Sequence, residues 1–183
     1  MPHDSSPAPV VTLGISGFSN SGKTTLIEAM VSRMAGPSCI VVVIKHSHHH
    51  VVPFQPGSDS ERFRSAGASD VLLSAANGLE QQGQWCPGVL PTLKELLNYA
   101  GKSAPDLVLL EGFKDVAGLP RLWLHRGNHL PSEQEEAYLA RSLAVVTDYP
   151  ALFPALTRLP LDNPDEVARW VQLWRAGFTS TNE

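Results

Sequence analysis

Residues 17–25, GFSNSGKTT, constrain the fold of this chain more than any other stretch. They follow the apolar run VVTLGIS at 10–16 and precede TLIEAMVSRMA, whose apolar residues recur at helical spacing. A continuous apolar run of this length is typical of a strand buried on both faces of a parallel sheet. A second β-branched run, CIVVVIK, follows at 39–45. The order strand, loop, helix, strand predicts a right-handed βαβ unit.

The loop of this unit matches the pattern G-x-x-x-x-G-K-[ST] at every fixed position. Its glycines let the backbone curl so that N–H groups point inward, and the helix that begins near Lys23 favours an anion at its N-terminus. Lys23 would reach the β- and γ-phosphates, and the Thr24 hydroxyl would ligate Mg²⁺. The motif predicts a site for a nucleoside triphosphate with Mg²⁺, formed by Gly17, Ser19, Asn20, Ser21, Gly22, Lys23 and Thr24.

Two acidic residues are candidates for the metal side of this site. DLVLLEG at 106–112 predicts a buried strand with Glu111 at its carboxyl end, where the ligands of parallel sheets gather. Glu111 is placed to contact Mg²⁺ directly or through water, or to position a water; the alternative is a salt-bridged surface residue. Asp59 opens the predicted short helix DSERFRSAGA and is the second metal candidate. Its alternative role is that of a helix N-cap alone.

The run KHSHHH at 45–50 ends the second predicted strand, beside the phosphate loop. We expect Lys45 to contact the γ-phosphate or the phosphate of a bound pterin. The histidines favour a loop that contacts the ligand, with a plain solvated loop as the alternative. A dedicated transition-metal site is disfavoured, because cysteines and acidic residues are absent nearby and adjacent histidines of a strand point to opposite faces.

Asp148 is the candidate for base recognition. It ends VVTD, a predicted late strand, and the usual guanine-reading pattern N-K-x-D is absent. A carboxylate can accept two hydrogen bonds from guanine N1 and N2, and it repels the acceptor N1 of adenine. We therefore predict that Asp148, with the loop at 159–163, lies on the guanine side. The alternative is a turn aspartate before Tyr149 and Pro150.

The remaining segments predict one α/β three-layer domain over 10–176, with tails at 1–9 and 177–183. Asn77–Gly78 predicts a type I′ turn in a β-hairpin, inserted in or placed at the edge of a mainly parallel sheet. Further helices are expected from their start signals. These signals are Pro91 at N1, a capping box of Ser132 with Glu135, and Asn163 followed by Pro164.

Composition excludes several classes of protein. The net charge of −4 and the pI near 6.0 show no basic excess, which argues against nucleic acid as the main partner. Cys39 and Cys86 lack metal-ligand spacing and are expected to be free thiols. The sequence has no apolar run of about 18 residues and no signal-peptide pattern at the N-terminus. We therefore expect a cytoplasmic protein without a membrane span.

Five segments together resemble the MobB family, the molybdopterin-guanine dinucleotide biosynthesis adaptor proteins. The segments are GFSNSGKTTL, IKHSHHH, PGSDSERFRSAGA, LVLLEGFK and VVTD, and the resemblance spans the chain from about Val10 to about Trp174. It implies a P-loop GTP-binding fold, and a homodimer built partly from the hairpin region. It also implies a role in assisting the nucleotidyltransferase, a molybdenum cofactor guanylyltransferase, that joins GMP to molybdopterin.

The resemblance also assigns residues. It implies that 17–25, including Thr25, hold phosphates and Mg²⁺, and that Asp59 and Glu111 lie near the metal. The chain departs from the family where His50 replaces an acidic residue after the paired histidines. No arginine finger is evident in cis, although Arg62, Arg64 or Arg126 could approach in a dimer, so we expect slow GTP hydrolysis involving Lys23 and Glu111.

Two other functions compete with the adaptor. A P-loop small-molecule kinase or ligase using ATP would need a base near an acceptor pocket, a role open to Asp59 or Glu111. A purely structural partner-binding protein would carry a vestigial loop, which the intact Lys23 and Thr24 disfavour.

Overall fold

The computed structural model of this chain describes residues 10–179. Nine strands form one sheet: Thr12–Gly17 (β1), Val41–His46 (β2), Asp70–Ala75 (β3), Gly78–Gln81 (β4), Gln84–Pro87 (β5), Leu107–Glu111 (β6), Arg121–His125 (β7), Ala144–Thr147 (β8) and Arg158–Pro160 (β9). Five α-helices accompany the sheet: Lys23–Met34 (α1), Asp59–Ser65 (α2), Leu93–Gly101 (α3), Glu133–Leu139 (α4) and Pro164–Thr179 (α5). A single 3₁₀ turn covers Pro150–Leu152.

The sheet order is β5-β4-β3-β2-β6-β1-β7-β8-β9. Every neighbouring pair is parallel except β3 with β4 and β4 with β5. Glu111 pairs in register with Ile15 of β1 and Lys45 of β2, so the ends of three adjacent strands meet at one edge. The predicted α/β three-layer fold, with a mainly parallel sheet and an antiparallel hairpin at its edge, is confirmed.

Helices cover both faces of the sheet, and the central strands alternate between them. Val41 and Val43 of β2 pack in the core shared with α1 and α5, whereas Val42 and Ile44 pack with α3. All four side chains are fully buried. A strand with a helix on each face can be apolar at every position, which explains the continuous runs in the sequence. Within residues 10–179, no helix has the length and apolarity that crossing a membrane would need.

The hairpin region differs from the prediction. Gly78 already pairs with Ala75, and Asn77 does not have a positive φ, so the expected type I′ turn at Asn77–Gly78 is wrong. A positive φ at two successive residues occurs one turn later, at Gln82 (49°) and Gly83 (71°) between β4 and β5. That pair has the signature of a type I′ turn. The run LEQQGQW at 79–85, which follows the expected turn, therefore contributes to two strands, β4 and β5.

Two helices begin at residues other than the predicted ones. The N-cap of α2 is Ser58, whose hydroxyl accepts a hydrogen bond from the Glu61 amide, so Asp59 is the first helical residue and its carboxylate is free for other contacts. Thr92 caps α3 in a capping box with Glu95, and Pro91 precedes that cap.

The C-terminal part of the chain agrees with the prediction at one point and differs from it at two. The expected N-cap Asn163 is confirmed, because its Oδ1 accepts from the Glu166 amide at 3.4 Å. Helix α5 runs to Thr179, three residues into the segment predicted as a tail; residues 180–183 and the predicted tail at 1–9 lie outside the described residues. Strand β9 was not predicted.

Candidate functional site

A cleft of about 790 Å³ opens at the carboxyl ends of β1, β2 and β6. This is the edge at which open α/β sheets bind ligands. Most of the predicted site residues lie together on its wall: Gly17, Ser19, Asn20, Gly22, Lys23, Thr24, Thr25, Lys45, Asp59 and Glu111. Two do not line it, Ser21 and Asp148.

The phosphate loop closes around the N-terminus of α1. Gly22 precedes the helix with φ at 99°, and Asn20 also has a positive φ, at 63°. Gly22 suits this conformation because it lacks a Cβ. The Lys23 ammonium folds back over the loop and donates to the carbonyls of Gly17 (3.1 Å) and Phe18 (2.7 Å). Partial burial lowers the pKa of Lys23, because the charged form is less well solvated there than in water. A bound anion would stabilise the charged form.

Glu111 connects the loop to the neighbouring strand. It is 5% exposed, and its Oε1 accepts from the Thr24 hydroxyl at 3.0 Å and from the Lys45 ammonium at 2.9 Å. Its second oxygen, Oε2, is buried and has no hydrogen-bond partner among the described residues. A buried carboxylate oxygen without a partner is costly and calls for a ligand. A hydroxyl and a carboxylate are oxygen donors of the kind Mg²⁺ takes, so the residues fit that ion.

Lys45 lies between the two predicted metal-side carboxylates. Its ammonium contacts Asp59 in addition to Glu111, with 18% of the Lys45 side chain exposed. Burial alone would lower the pKa of Lys45, but the charge of Glu111 and the hydrogen bonds to both carboxylates outweigh it and raise that pKa above its ordinary value. The structure thus brings Lys45, Asp59 and Glu111 together, and the Lys45 ammonium balances the charge of the two carboxylates.

The histidine run forms one side of the cleft. His46, His48 and His49 line it, whereas His50 lines a neighbouring depression. The His46 ring packs edge-on against His48, at 4.6 Å between centroids, and at a tilt of 35° against Phe113, at 5.2 Å. Burial, and then the nearby His48, lower the pKa of His46, which favours its neutral form. This wall of the cleft is therefore aromatic where His46, His48 and Phe113 meet.

Asp148 follows β8 and lies in a second cleft, of about 520 Å³. Its Oδ1 accepts a hydrogen bond from the Gly127 amide at 2.7 Å. The predicted loop at 159–163 contributes Leu159, Pro160 and Asp162 to the same cleft. The structure brings Asp148 and this loop together as expected, and its role in base recognition stays a prediction.

The sequence did not place two basic side chains that lie beside the phosphate loop. Arg126, expected only as a residue that could approach in a dimer, lies next to the loop within the same chain and donates from Nε to the Ser21 carbonyl at 3.2 Å. Its position depends on β7 lying beside β1, which no local pattern indicates. Lys114 lines the cleft with its ammonium 5.6 Å from the centre of the Phe18 ring. The signal for Lys114 was its place just after Glu111–Gly112.

Comparisons with known proteins give consistent results. The family model "MobB: Molybdopterin guanine dinucleotide synthesis protein B" matches residues 12–148. The molybdopterin-guanine dinucleotide biosynthesis adapter protein of Haemophilus influenzae is 34% identical over 167 residues, covering 91% of this chain and 90% of that protein.

Two solved structures share the fold. The MobB homologue from Bacillus stearothermophilus has a TM-score of 0.56 at 24% identity, covering 91% of this chain and 98% of that chain. The hydrogenase maturation factor HypB from Archaeoglobus fulgidus has a TM-score of 0.57 at 17% identity, covering 92% and 90%. The P-loop NTPase fold is thereby confirmed. Because the family model matches most of this chain, residues 12–148, the chain belongs to the MobB family of molybdopterin-guanine dinucleotide biosynthesis adapters.

Proposed function

We propose that this adapter binds GTP with Mg²⁺ and assists a molybdenum cofactor guanylyltransferase in attaching GMP to molybdopterin. The observation that carries the proposal is the joined geometry of Lys23, Thr24 and Glu111 in the cleft. A simple turn would not need a half-buried lysine that donates to the carbonyls of the same loop. Nor would it need a buried carboxylate that accepts from the Thr24 hydroxyl.

Phosphate binding would rearrange these contacts rather than create the site. The triphosphate would take the Lys23 ammonium from the carbonyls of Gly17 and Phe18, and the loop amides and the N-terminus of α1 would face its oxygens. Thr24, Glu111 and Asp59 would hold Mg²⁺, which supplies charge neutralisation at the phosphates. Lys45 would then be released toward the γ-phosphate, or toward the phosphate of molybdopterin as a second ligand.

Turnover by the protein alone is expected to be slow. Arg62 and Arg126 contact the region of the loop, but neither lines the cleft. Hydrolysis of GTP without an arginine at the transferred phosphate lacks a large source of transition-state stabilisation. The proposal is therefore a nucleotide-presenting adapter with weak GTPase activity, located in the cytoplasm, where GTP and the partner enzyme would meet it.

We also propose that the adapter forms a homodimer. Strand β5 ends the sheet, and the exposed Val89 and Leu90 follow it directly. An edge strand offers unpaired N–H and C=O groups to a second copy of the chain. Sedimentation equilibrium over a range of concentrations would test this, and a monomer at every concentration would contradict it.

Calorimetric titration with GTP, ATP and GDP in Mg²⁺ tests nucleotide binding. We expect tight binding of GTP over ATP, with loss of triphosphate binding in Lys23→Ala and retained binding in Lys94→Ala, an exposed lysine on α3. Asp148→Asn should reduce the preference for guanine while phosphate contacts remain. Preference for ATP, or rapid turnover once a small acceptor is added, would instead favour a kinase or ligase. Stimulation of the guanylyltransferase by this protein would test the adapter role separately.

A further inference from the structure

A second cluster of ligand-type side chains lies beyond the nucleotide clefts, beside β7. His125 ends this strand, Glu135 lies in the first turn of α4, and His129 lies in the loop between them. Their donor atoms all fall within 4.8 Å of one another. His125 and Glu135 are 1% and 2% exposed, whereas His129 is exposed.

Glu135 does not behave as its sequence position predicts. The Ser132 hydroxyl accepts from the Glu135 amide at 3.2 Å, but the carboxylate does not return to the helix cap as a capping box requires. It turns inward, where its Oε1 accepts from Trp123 Nε1 at 2.8 Å and lies 2.9 Å from His125 Nδ1. Within residues 10–179, His125 is its only ion-pair partner. A buried carboxylate needs a compensating positive charge.

The surroundings of His125 show where that charge could come from. Its Nε2 faces the His129 carbonyl at 3.1 Å, and its Nδ1 faces the Glu135 carboxylate, so both ring nitrogens meet acceptors. A neutral imidazole can donate to only one of them, whereas a ring that carries both protons donates to both. A metal ion on Nδ1 is a second way to satisfy both acceptors, because Nε2–H then donates to the carbonyl. A backbone carbonyl on the far nitrogen is the usual outer contact of a metal-bound histidine.

The ligand atoms lie close to coordination distance. Two ligands about 2.0–2.2 Å from a metal in tetrahedral geometry are about 3.4 Å apart, whereas His125 Nδ1 and Glu135 Oε1 are 2.9 Å apart. A bound ion would therefore move these two side chains apart by about 0.5 Å. Trp123 Nε1–H would orient the ligating carboxylate. The His129 ring lies 4.5 Å from that of His125 between centroids, and its exposure leaves an entry path and room for water ligands.

We infer that His125, His129 and Glu135 form a site for a divalent first-row transition-metal ion of the Zn²⁺ type. Two imidazoles and one carboxylate suit such ions better than Mg²⁺, which prefers oxygen ligands alone. This site is separate from the Mg²⁺ position at Glu111 and does not depend on the proposed function.

The residues between the two histidines connect this site to the nucleotide clefts. Arg126 donates to the Ser21 carbonyl of the phosphate loop, and the Gly127 amide donates to Asp148. A metal that fixes both ends of 125–129 would restrain the segment that makes these two contacts. Metal and nucleotide would then affect one another's affinity reciprocally.

The test uses the full chain without a purification tag, stripped of metal by a chelator. Co²⁺ is titrated while its visible absorption bands are recorded, and Zn²⁺ is then added as a competitor. We expect one equivalent of Co²⁺ to bind with bands of mixed nitrogen and oxygen coordination, and Zn²⁺ to displace it. His129→Ala and Glu135→Gln should each weaken binding by at least about tenfold. The exposed control His50→Ala, in the histidine run, should leave it unchanged.

His129→Ala removes an exposed loop side chain, so its fold is expected to persist, which circular dichroism in chelator would verify. No Co²⁺ binding by the wild type would show that His125 and Glu135 form a core ion pair only. Equal binding by the wild type and both ligand variants would place the ion outside the proposed site, and loss of binding in His50→Ala would place it in the histidine run. Either result would overturn the inference.

Discussion

Replacing Lys45 by methionine separates the charge of this lysine from the packing of its stem. The substitution keeps an unbranched side chain in β2 and removes the only cation bonded to Glu111 within residues 10–179. The Glu111 side chain is 6% exposed, and one of its oxygens already lacks a partner. The Asp59 side chain is 32% exposed, so solvent screens its share of the loss.

Removing one partner of a buried ion pair destabilises a protein by about 3–5 kcal/mol. Because Asp59 is partly exposed, we expect the lower end, about 3 kcal/mol, for Lys45→Met without Mg²⁺. For a domain of this size that corresponds to a drop in Tm of about 6–12 °C. The control Lys94→Met, on the exposed side of α3, should change the free energy of unfolding by less than about 0.5 kcal/mol.

Urea unfolding with and without Mg²⁺ measures the effect. Mg²⁺ should raise the stability of Lys45→Met more than that of the wild type, because the ion replaces a charge that the wild type supplies itself. In a Glu111→Gln background, Lys45→Met should cost far less, since the buried charge is gone. An equal cost in both backgrounds, or no difference in the response to Mg²⁺, would refute the assignment of Lys45 as the counter-charge of the metal-side carboxylates.

Three further predictions concern the loop and the hairpin. Because burial lowers the folded-state pKa of Lys23, stability should rise with pH between that lowered value and 10.5, where the unfolded chain holds the extra proton. Triphosphate binding in that window should take up a proton, seen as a binding enthalpy that depends on the buffer. Gly22→Ala should lower the free energy of unfolding by about 1–3 kcal/mol, measured by thermal unfolding. The cost comes from the φ of 99°, because the flexible tip of the Arg126 side chain can move away from the added Cβ. Gln82→Asn, before Gly83, should stabilise the type I′ turn by up to about 0.5 kcal/mol in urea unfolding; a loss would contradict the turn assignment.

The parts of the fold that could be predicted are those with strong local signals. β1, β2 and β6 could be predicted as strands because each contains a run of apolar residues, as expected for a strand covered on both faces. Glu111 was placed at the cleft because the polarity of a parallel sheet fixes which end of a strand meets ligands. Both inferences need only the residues of the segment itself.

What could not be predicted depends on distant partners. β9 has three residues and ends in Pro160, too short for any periodicity to show. The pattern at Ser132 and Glu135 predicted a capping box, but the Glu135 carboxylate contacts Trp123 and His125 of β7 instead. A local motif specifies which groups are available, whereas the sheet order decides which partners they meet.

The sheet order also explains why two clefts open at the same edge of the sheet. Strand β7 lies between β1, which leads into the phosphate loop, and β8, which leads to Asp148. The two residues after β7 therefore lie between the phosphate loop and Asp148, and each bonds to one of them: Arg126 to the Ser21 carbonyl of the loop, and the Gly127 amide to Asp148. A nucleotide with its phosphates in the first cleft and its base near Asp148 would span this segment. A movement of this segment would then alter the phosphate side and the base side of the proposed nucleotide site together. A change confined to one cleft would alter only one of these sides.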